Sequence, residues 1–260
     1  MSFVPMPAEA GRVSEDALLG GKVILRQPVR GHRFGHDAVL LAAATPAHAG
    51  QHAVELGSGV GAAGLALARR VEGLTVTLVE LDAALAALAN ENILRNALAE
   101  HARAVCLDVT ASIAEFAAAG LIPGSADHVL MNPPFNVPQN ASPDRARQLA
   151  RSASPGMLVQ WVDAAARLLR PQGILTLIWR ADSLADVLAA LTDKFGAIAI
   201  LPVHPKPGAA AIRVLVSATK GSKGSLVLLP GFILAETDNK PSAQAEAVLR
   251  DGAALDLITP

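Results

Sequence analysis

The chain contains no tyrosine, and aromatic residues make up only 3% of its 260 positions, so an aromatic in a motif stands out. It has one cysteine, Cys106, which excludes an internal disulfide. Because Cys106 sits in an apolar run, it is expected to be buried and inert. Charged residues are few, at 17%, against 52% hydrophobic, which argues for packed segments rather than disorder. The formal charge of −1 gives no global attraction to nucleic acid, so any such contact must come from a local patch. No apolar run reaches membrane-spanning length, and the N-terminus lacks a basic-then-apolar signal pattern. A soluble cytoplasmic protein is expected, as monomer or homodimer. His32, His36 and Asp37 lie close together, but no further ligand is recognisable and no metal is expected.

What is present is an alternation of apolar runs. Residues 1–21 carry Pro, Gly and mixed charges, which predicts a loose arm with one helical turn near Ser14–Leu19. Val23–Gln27 reads as a short strand and Ala38–Ala44 as an apolar helix. Strands follow at Val54–Leu56, Thr75–Val79, Ala104–Leu107 and Ala126–Met131, with helices at Ala63–Val71 and Ala83–Leu98 between them. Beyond a polar loop through Asn140, Ser142, Arg145, Arg147 and Arg151, read as a substrate lid, the pattern continues. Helices are expected at Leu158–Leu169, Leu184–Thr192 and Ala243–Leu249, and strands at Gly173–Ile178, Ala197–Val203, Ile212–Ser217 and Leu226–Leu229. Such alternation predicts an α/β fold, a doubly wound and mostly parallel sheet with helices on both faces. With no linker in view, residues 1–260 are expected to form one domain: an arm and first helix to residue 45, a core to 235 and a C-terminal tail.

Several strands end at residues suited to ligands. Glu55-Leu56-Gly57-Ser58-Gly59-Val60-Gly61-Ala62 leads from strand to helix, and its glycines let the backbone turn tightly and approach a ligand. Glu80 ends the next strand, about 20 residues on, the spacing of a carboxylate that holds ribose hydroxyls. Asp108 ends the third and suits an adenine amino group; Asn132-Pro133-Pro134-Phe135 follows the fourth. There the Asn132 Oδ1 and the Pro133 carbonyl can accept both hydrogens of a planar amine while Phe135 stacks on its ring. A Pro-rich strand exit with an exposed Phe is the plain alternative. Asp37 opens the first helix and, taken alone, reads first as a plain cap. No acid occurs between Asp193 and Glu236, whereas Lys194, Lys206, Arg213, Lys220 and Lys223 do. This reads as a basic face, or as scattered solvated cations.

The glycine loop alone fits a dinucleotide site as well as an S-adenosylmethionine site. Asp108 and the Asn-Pro-Pro-Phe segment favour methyl transfer over hydride transfer. In order, Glu55–Gly61, Glu80, Asp108 and Asn132–Phe135 resemble the motifs of class I S-adenosylmethionine-dependent methyltransferases, with a Rossmann-like sheet of seven strands. The Asn-Pro-Pro-Phe is typical of the amino-group branch. Gln27-Pro28, Phe34–Leu41, Pro202–Lys206 and Arg213–Val216 resemble the valine-tRNA adenine-N6 methyltransferase family. The resemblance implies that Asp37, Glu55 and Gly57, Gly59 and Gly61 serve the methionine end of the cofactor. It implies that Glu80 holds its ribose and Asp108 its adenine, that Asn132, also at the cofactor, and Pro133 hold the target amine of a tRNA, and that Phe135 stacks on the target base. Other readings are a protein glutamine amide or a small-molecule hydroxyl or amine as acceptor, an NAD(P)-dependent oxidoreductase, or a non-catalytic nucleotide-binding module.

Overall fold

The computed structural model describes residues 13–29, 35–134 and 156–257. Eleven strands are found among the described residues: β1 Val13–Leu18, β2 Val23–Pro28, β3 His52–Leu56, β4 Thr75–Glu80, β5 Ala102–Cys106, β6 Ala126–Met131, β7 Leu169–Arg180, β8 Phe195–His204, β9 Arg213–Lys220, β10 Val227–Leu228 and β11 Phe232–Ile233. The helices are α1 His36–Ala44, α2 Ala62–Arg70, α3 Ala83–Arg95, α4 Ile113–Ala118, α5 Met157–Leu168, α6 Leu184–Leu191 and α7 Ala243–Leu249.

The main sheet runs β10-β8-β9-β7-β6-β3-β4-β5, with β11 also paired to β8. Seven of these strands are long, as expected; β10 and β11 add two-residue extensions. Only β9 is antiparallel to its neighbours. The strand order reverses between β3 and β6, and at such a switch point the outgoing loops diverge and leave a crevice. Two apolar layers sandwich the sheet. One contains α1, α2, α3 and α7; the other contains α4, α5 and α6. In α1 every residue from Ala38 to Ala44 is buried, which explains an apolar run with no polar face.

The N-terminal expectation is overturned. Val13–Leu18 is a strand, not a helical turn, and it pairs antiparallel with β2 from Val13↔Pro28 to Leu18↔Val23. Only Leu18 of its six residues is buried, so no apolar alternation marked it. The turn is made by Gly20 and Gly21, at φ +64° and +93°. The far edge of β2 meets a helix instead of a strand. Asn96, the C-cap of α3, accepts from the Ile24 N–H (2.9 Å) and donates to the Ile24 carbonyl (2.8 Å). Asn92 does the same for Arg26, at 2.8 and 3.0 Å. Four helical residues rise about 6 Å and two strand residues about 6.8 Å, so asparagines at i and i+4 match the strand repeat. Their amides satisfy a strand edge that would otherwise be open.

Helix α4 was not foreseen, though Ser112 and Glu115 form a capping box legible in the sequence. Cys106 is exposed, not buried, because β5 is the edge strand and ends at that residue. Among the described residues no helix is long and apolar enough to cross a membrane.

Candidate active site

Strand register decides which residues meet. Leu56 pairs with Met131 on one side and Val79 on the other, so Gly57, Glu80 and Asn132 leave the sheet side by side at its C-terminal edge. Glu80 pairs in turn with Cys106, which places Asp108 two residues further out. The sequence-predicted residues of four strands are thus brought to one edge.

The glycine loop is held from several directions. Gly57, Gly59 and Gly61 all have positive φ, at +68°, +56° and +89°. A Cβ on Gly57 would lie 2.3 Å from Cη2 of Trp161 in α5, and one on Gly61 2.8 Å from Leu78 Cδ1, whereas one on Gly59 would meet nothing within 4 Å. The outer two glycines are therefore required by packing, and Gly59 faces open space. Trp161 was not singled out from sequence; nothing in a helical apolar run distinguishes the residue that abuts the loop.

The acids divide in role. Glu80 Oε2 accepts from the Gly59 N–H (2.7 Å) and Oε1 from the Asp82 N–H (2.9 Å), leaving further lone pairs for a ligand. Burial raises its pKa, and the N–H groups of Asp82 and Gly59 pull the other way. Glu55 is only 4% exposed, beneath the loop, and Oε2 accepts from the Gly64 N–H at 2.7 Å. Gly64 is the third residue of α2, whose N-cap Gly61 offers no side chain, so Glu55 caps the helix from a neighbouring strand. Burial pushes the Glu55 carboxyl up to about 8; the Gly64 N–H opposes this and the Glu80 charge adds to it. Its carboxyl group thus braces the start of α2 directly after the glycine loop.

Asp108 is exposed, and its Oδ1 accepts from the N–H and hydroxyl of Thr110, both at 2.7 Å. Asp37 lies in the first turn of α1 and does not cap it; Gly35 holds the N-cap position. Its Oδ2 accepts instead from Arg213 Nε of β9 at 2.9 Å, each side chain 26% exposed. Pro133 is buried, and Asn132 Oδ1 is buried with no hydrogen-bond partner. A buried carboxamide oxygen left unpaired is costly unless something else supplies a donor. Phe135, the 136–155 loop, His32, Arg33 and Phe34 lie outside the described residues.

The five cations expected as one basic face are separated. Lys206 follows the C-terminal end of β8 and Arg213 begins antiparallel β9, so both lie on the ligand edge. Lys194, Lys220 and Lys223 lie near the opposite edge, roughly 30 Å away along the ten residues of β8. Lys194 pairs with Asp163, and Lys220 donates to the Leu169 carbonyl. Sequence proximity misled here because β8 and β9 form a hairpin whose ends point to opposite edges.

Residues 33–204 match the methyltransferase small domain family. The chain belongs to that family. It is 30% identical over 161 residues to a protein of Tolumonas auensis named tRNA1(Val) (adenine(37)-N6)-methyltransferase, an alignment covering 62% of this chain and 64% of that protein. A Porphyromonas gingivalis protein of the same name is 32% identical over 189 residues, covering 70% of this chain and 72% of its own. A solved structure from Agrobacterium tumefaciens, described as a predicted O-methyltransferase, superposes with a TM-score of 0.71 at 30% identity, covering 84% of this chain and 98% of its own. The observed edge fits S-adenosylmethionine, the donor implied by the sequence motifs. Gly59 opens onto free space, Glu80 and Asp108 stand at successive strand ends, and Asn132 presents an unpaired oxygen beside the loop.

Proposed function

We propose that this methyltransferase uses S-adenosylmethionine to methylate the N6 amino group of an adenine in tRNA. The observation that carries the reading is the buried, unpartnered Asn132 Oδ1 at the end of β6, opposite the glycine loop across the switch point. Together with the carbonyl of buried Pro133 it offers two acceptors, matching an amine with two hydrogens. Proline also fixes the backbone that carries this carbonyl. When bound, the cofactor supplies an electrophilic sulfonium methyl. The chain holds the acceptor nitrogen in line and stabilises the positive charge that develops on it. The two oxygens favour a pyramidal nitrogen whose lone pair is withdrawn from the ring, and the extra proton leaves after transfer. An adenine in folded RNA has to leave its stack to reach this edge.

Adenine N6 and tRNA are supported by the names of the curated relatives. The Agrobacterium protein, as an O-methyltransferase by description, points instead to a hydroxyl acceptor. A hydroxyl brings one hydrogen and would leave one of the two oxygens facing a lone pair, which favours the amine. Mass spectrometry of nucleosides from tRNA incubated with enzyme and S-adenosylmethionine tests the substrate: N6-methyladenosine is expected. Asn132→Ala is expected to keep cofactor affinity and lose turnover by roughly 10²–10³, the effect of removing one preorganised polar group. Normal turnover in that variant, or methylated protein with unmodified tRNA, overturns the reading.

A further inference from the structure

We infer that Asn92 is a positioning residue for the glycine loop, tying it to the N-terminal hairpin β1–β2 through helix α3. The proposal rests on the assignment of that loop to the cofactor. Asn92 is fully buried and uses every hydrogen-bonding group it has. Its Oδ1 accepts from the Arg26 N–H, and its Nδ2 donates to the Arg26 carbonyl (3.0 Å) and to the Val60 carbonyl (3.1 Å). Val60 lies between Gly59 and Gly61. The Val60–Gly61 peptide is therefore held from both sides, since the Gly61 N–H donates to the Ser58 carbonyl at 2.8 Å. The preceding glycine is fixed by Glu80 and the one before Ser58 by Trp161. The three glycines, all at positive φ, bring no side chains, so besides the buried Val60 and Ser58 the loop depends on anchors from outside it.

The neighbouring asparagine provides an internal comparison. Asn96, one turn further on at the C-cap of α3, makes the same pair of bonds to Ile24 that Asn92 makes to Arg26. Its second Nδ2 hydrogen, however, returns to the Asn92 carbonyl of its own helix at 2.8 Å. Removing either side chain loosens the hairpin by two hydrogen bonds, but only removal of Asn92 orphans a carbonyl inside the loop.

The test is isothermal titration of S-adenosylmethionine into full-length wild type, Asn92→Ala, Asn96→Ala and Gly59→Val, with melting temperatures recorded alongside. The two alanine variants are expected to lose thermal stability. Asn92→Ala is expected to weaken binding about tenfold, the effect of orphaning one buried carbonyl, and Asn96→Ala by less than about twofold. Amide exchange in the peptide spanning residues 57–66 is expected to quicken in Asn92→Ala alone. If Asn92→Ala does not fold, Asn92→Ser takes its place, read by the same exchange at a temperature where it is native. Wild-type affinity and exchange in the Asn92 variant, or equal weakening in both, overturns the proposal. Undiminished binding by Gly59→Val overturns the loop assignment beneath it.

Discussion

Replacing Glu55 by glutamine isolates the electrostatic cost of the acid under the glycine loop. Glutamine keeps an oxygen for the Gly64 N–H but cannot ionise. In the folded chain the Glu55 carboxyl is pushed from an ordinary 4.5 up to about 8, chiefly by burial. The folded state therefore holds a proton that the unfolded chain releases above 4.5. The stabilisation is complete below 4.5 and is lost as pH rises through 8. At about 1.4 kcal/mol for each pH unit in that window, the wild type forfeits on the order of 5 kcal/mol by pH 8, and Glu55→Gln does not. His128 acts in the opposite sense. It is 3% exposed; its Nε2 bonds Gln51 Oε1 at 2.8 Å, while Nδ1 is buried without a partner. Burial lowers its pKa from 6.5 to about 4, against the pull of Asp127 and helped by His48, Arg170 and Arg70. Its neutral form costs nothing above 6.5, and stability falls as pH drops from 6.5 towards 4. In the wild type these two slopes cancel between 4.5 and 6.5, and stability declines from 6.5 to 8. In Glu55→Gln the upper decline disappears and an acid-side decline emerges. Urea unfolding without cofactor at pH 5, 6, 7 and 8, followed by fluorescence of Trp161 and Trp179, gives the two profiles. Parallel profiles for wild type and variant would refute the reasoning.

The contact between Gly57 and Trp161 predicts that Gly57→Ala costs about 2–5 kcal/mol, combining positive φ with overpacking. Adding Trp161→Leu should restore about 1–3 kcal/mol of that; strict additivity in a double-mutant cycle would show that the two do not touch. The separation of the cations predicts which of them meet tRNA. Lys206→Ala, just beyond the end of β8, should shallow the salt dependence of kcat/KM for tRNA by about 0.9 on a log–log plot. Lys194→Ala and Lys223→Ala, near the other edge, should leave it unchanged; the reverse pattern would place the RNA on the far side of the sheet.

Most of the sheet's strands and helices were legible because they bury apolar runs; the short α4, which buries only Phe116, was not. The order of the motifs was equally plain: a glycine-rich turn, then Glu80, Asp108 and Asn132, each at a strand's end. Their meeting needed one further fact, that parallel strands share an edge, which the alternation of elements supplied. Of the hairpin only β1 was hidden, because its partly exposed residues show no apolar alternation; β2 was legible, but not that its other edge is completed by the amides of Asn92 and Asn96, far away in sequence. Cys106 looked buried by its neighbours and is exposed by its place on the edge strand. The division between Glu55, which caps α2 from below, and Glu80, which accepts from the Gly59 and Asp82 N–H groups at the sheet edge, follows from how deeply each lies under the loop. The cations between Asp193 and Glu236 are close in sequence and apart in space, because β8 and β9 run the length of the sheet in opposite directions. Residue types and their order thus determined which chemistry the chain can carry. Only the folded backbone, by setting depth and direction, decided which side chains support the site and which stand in it.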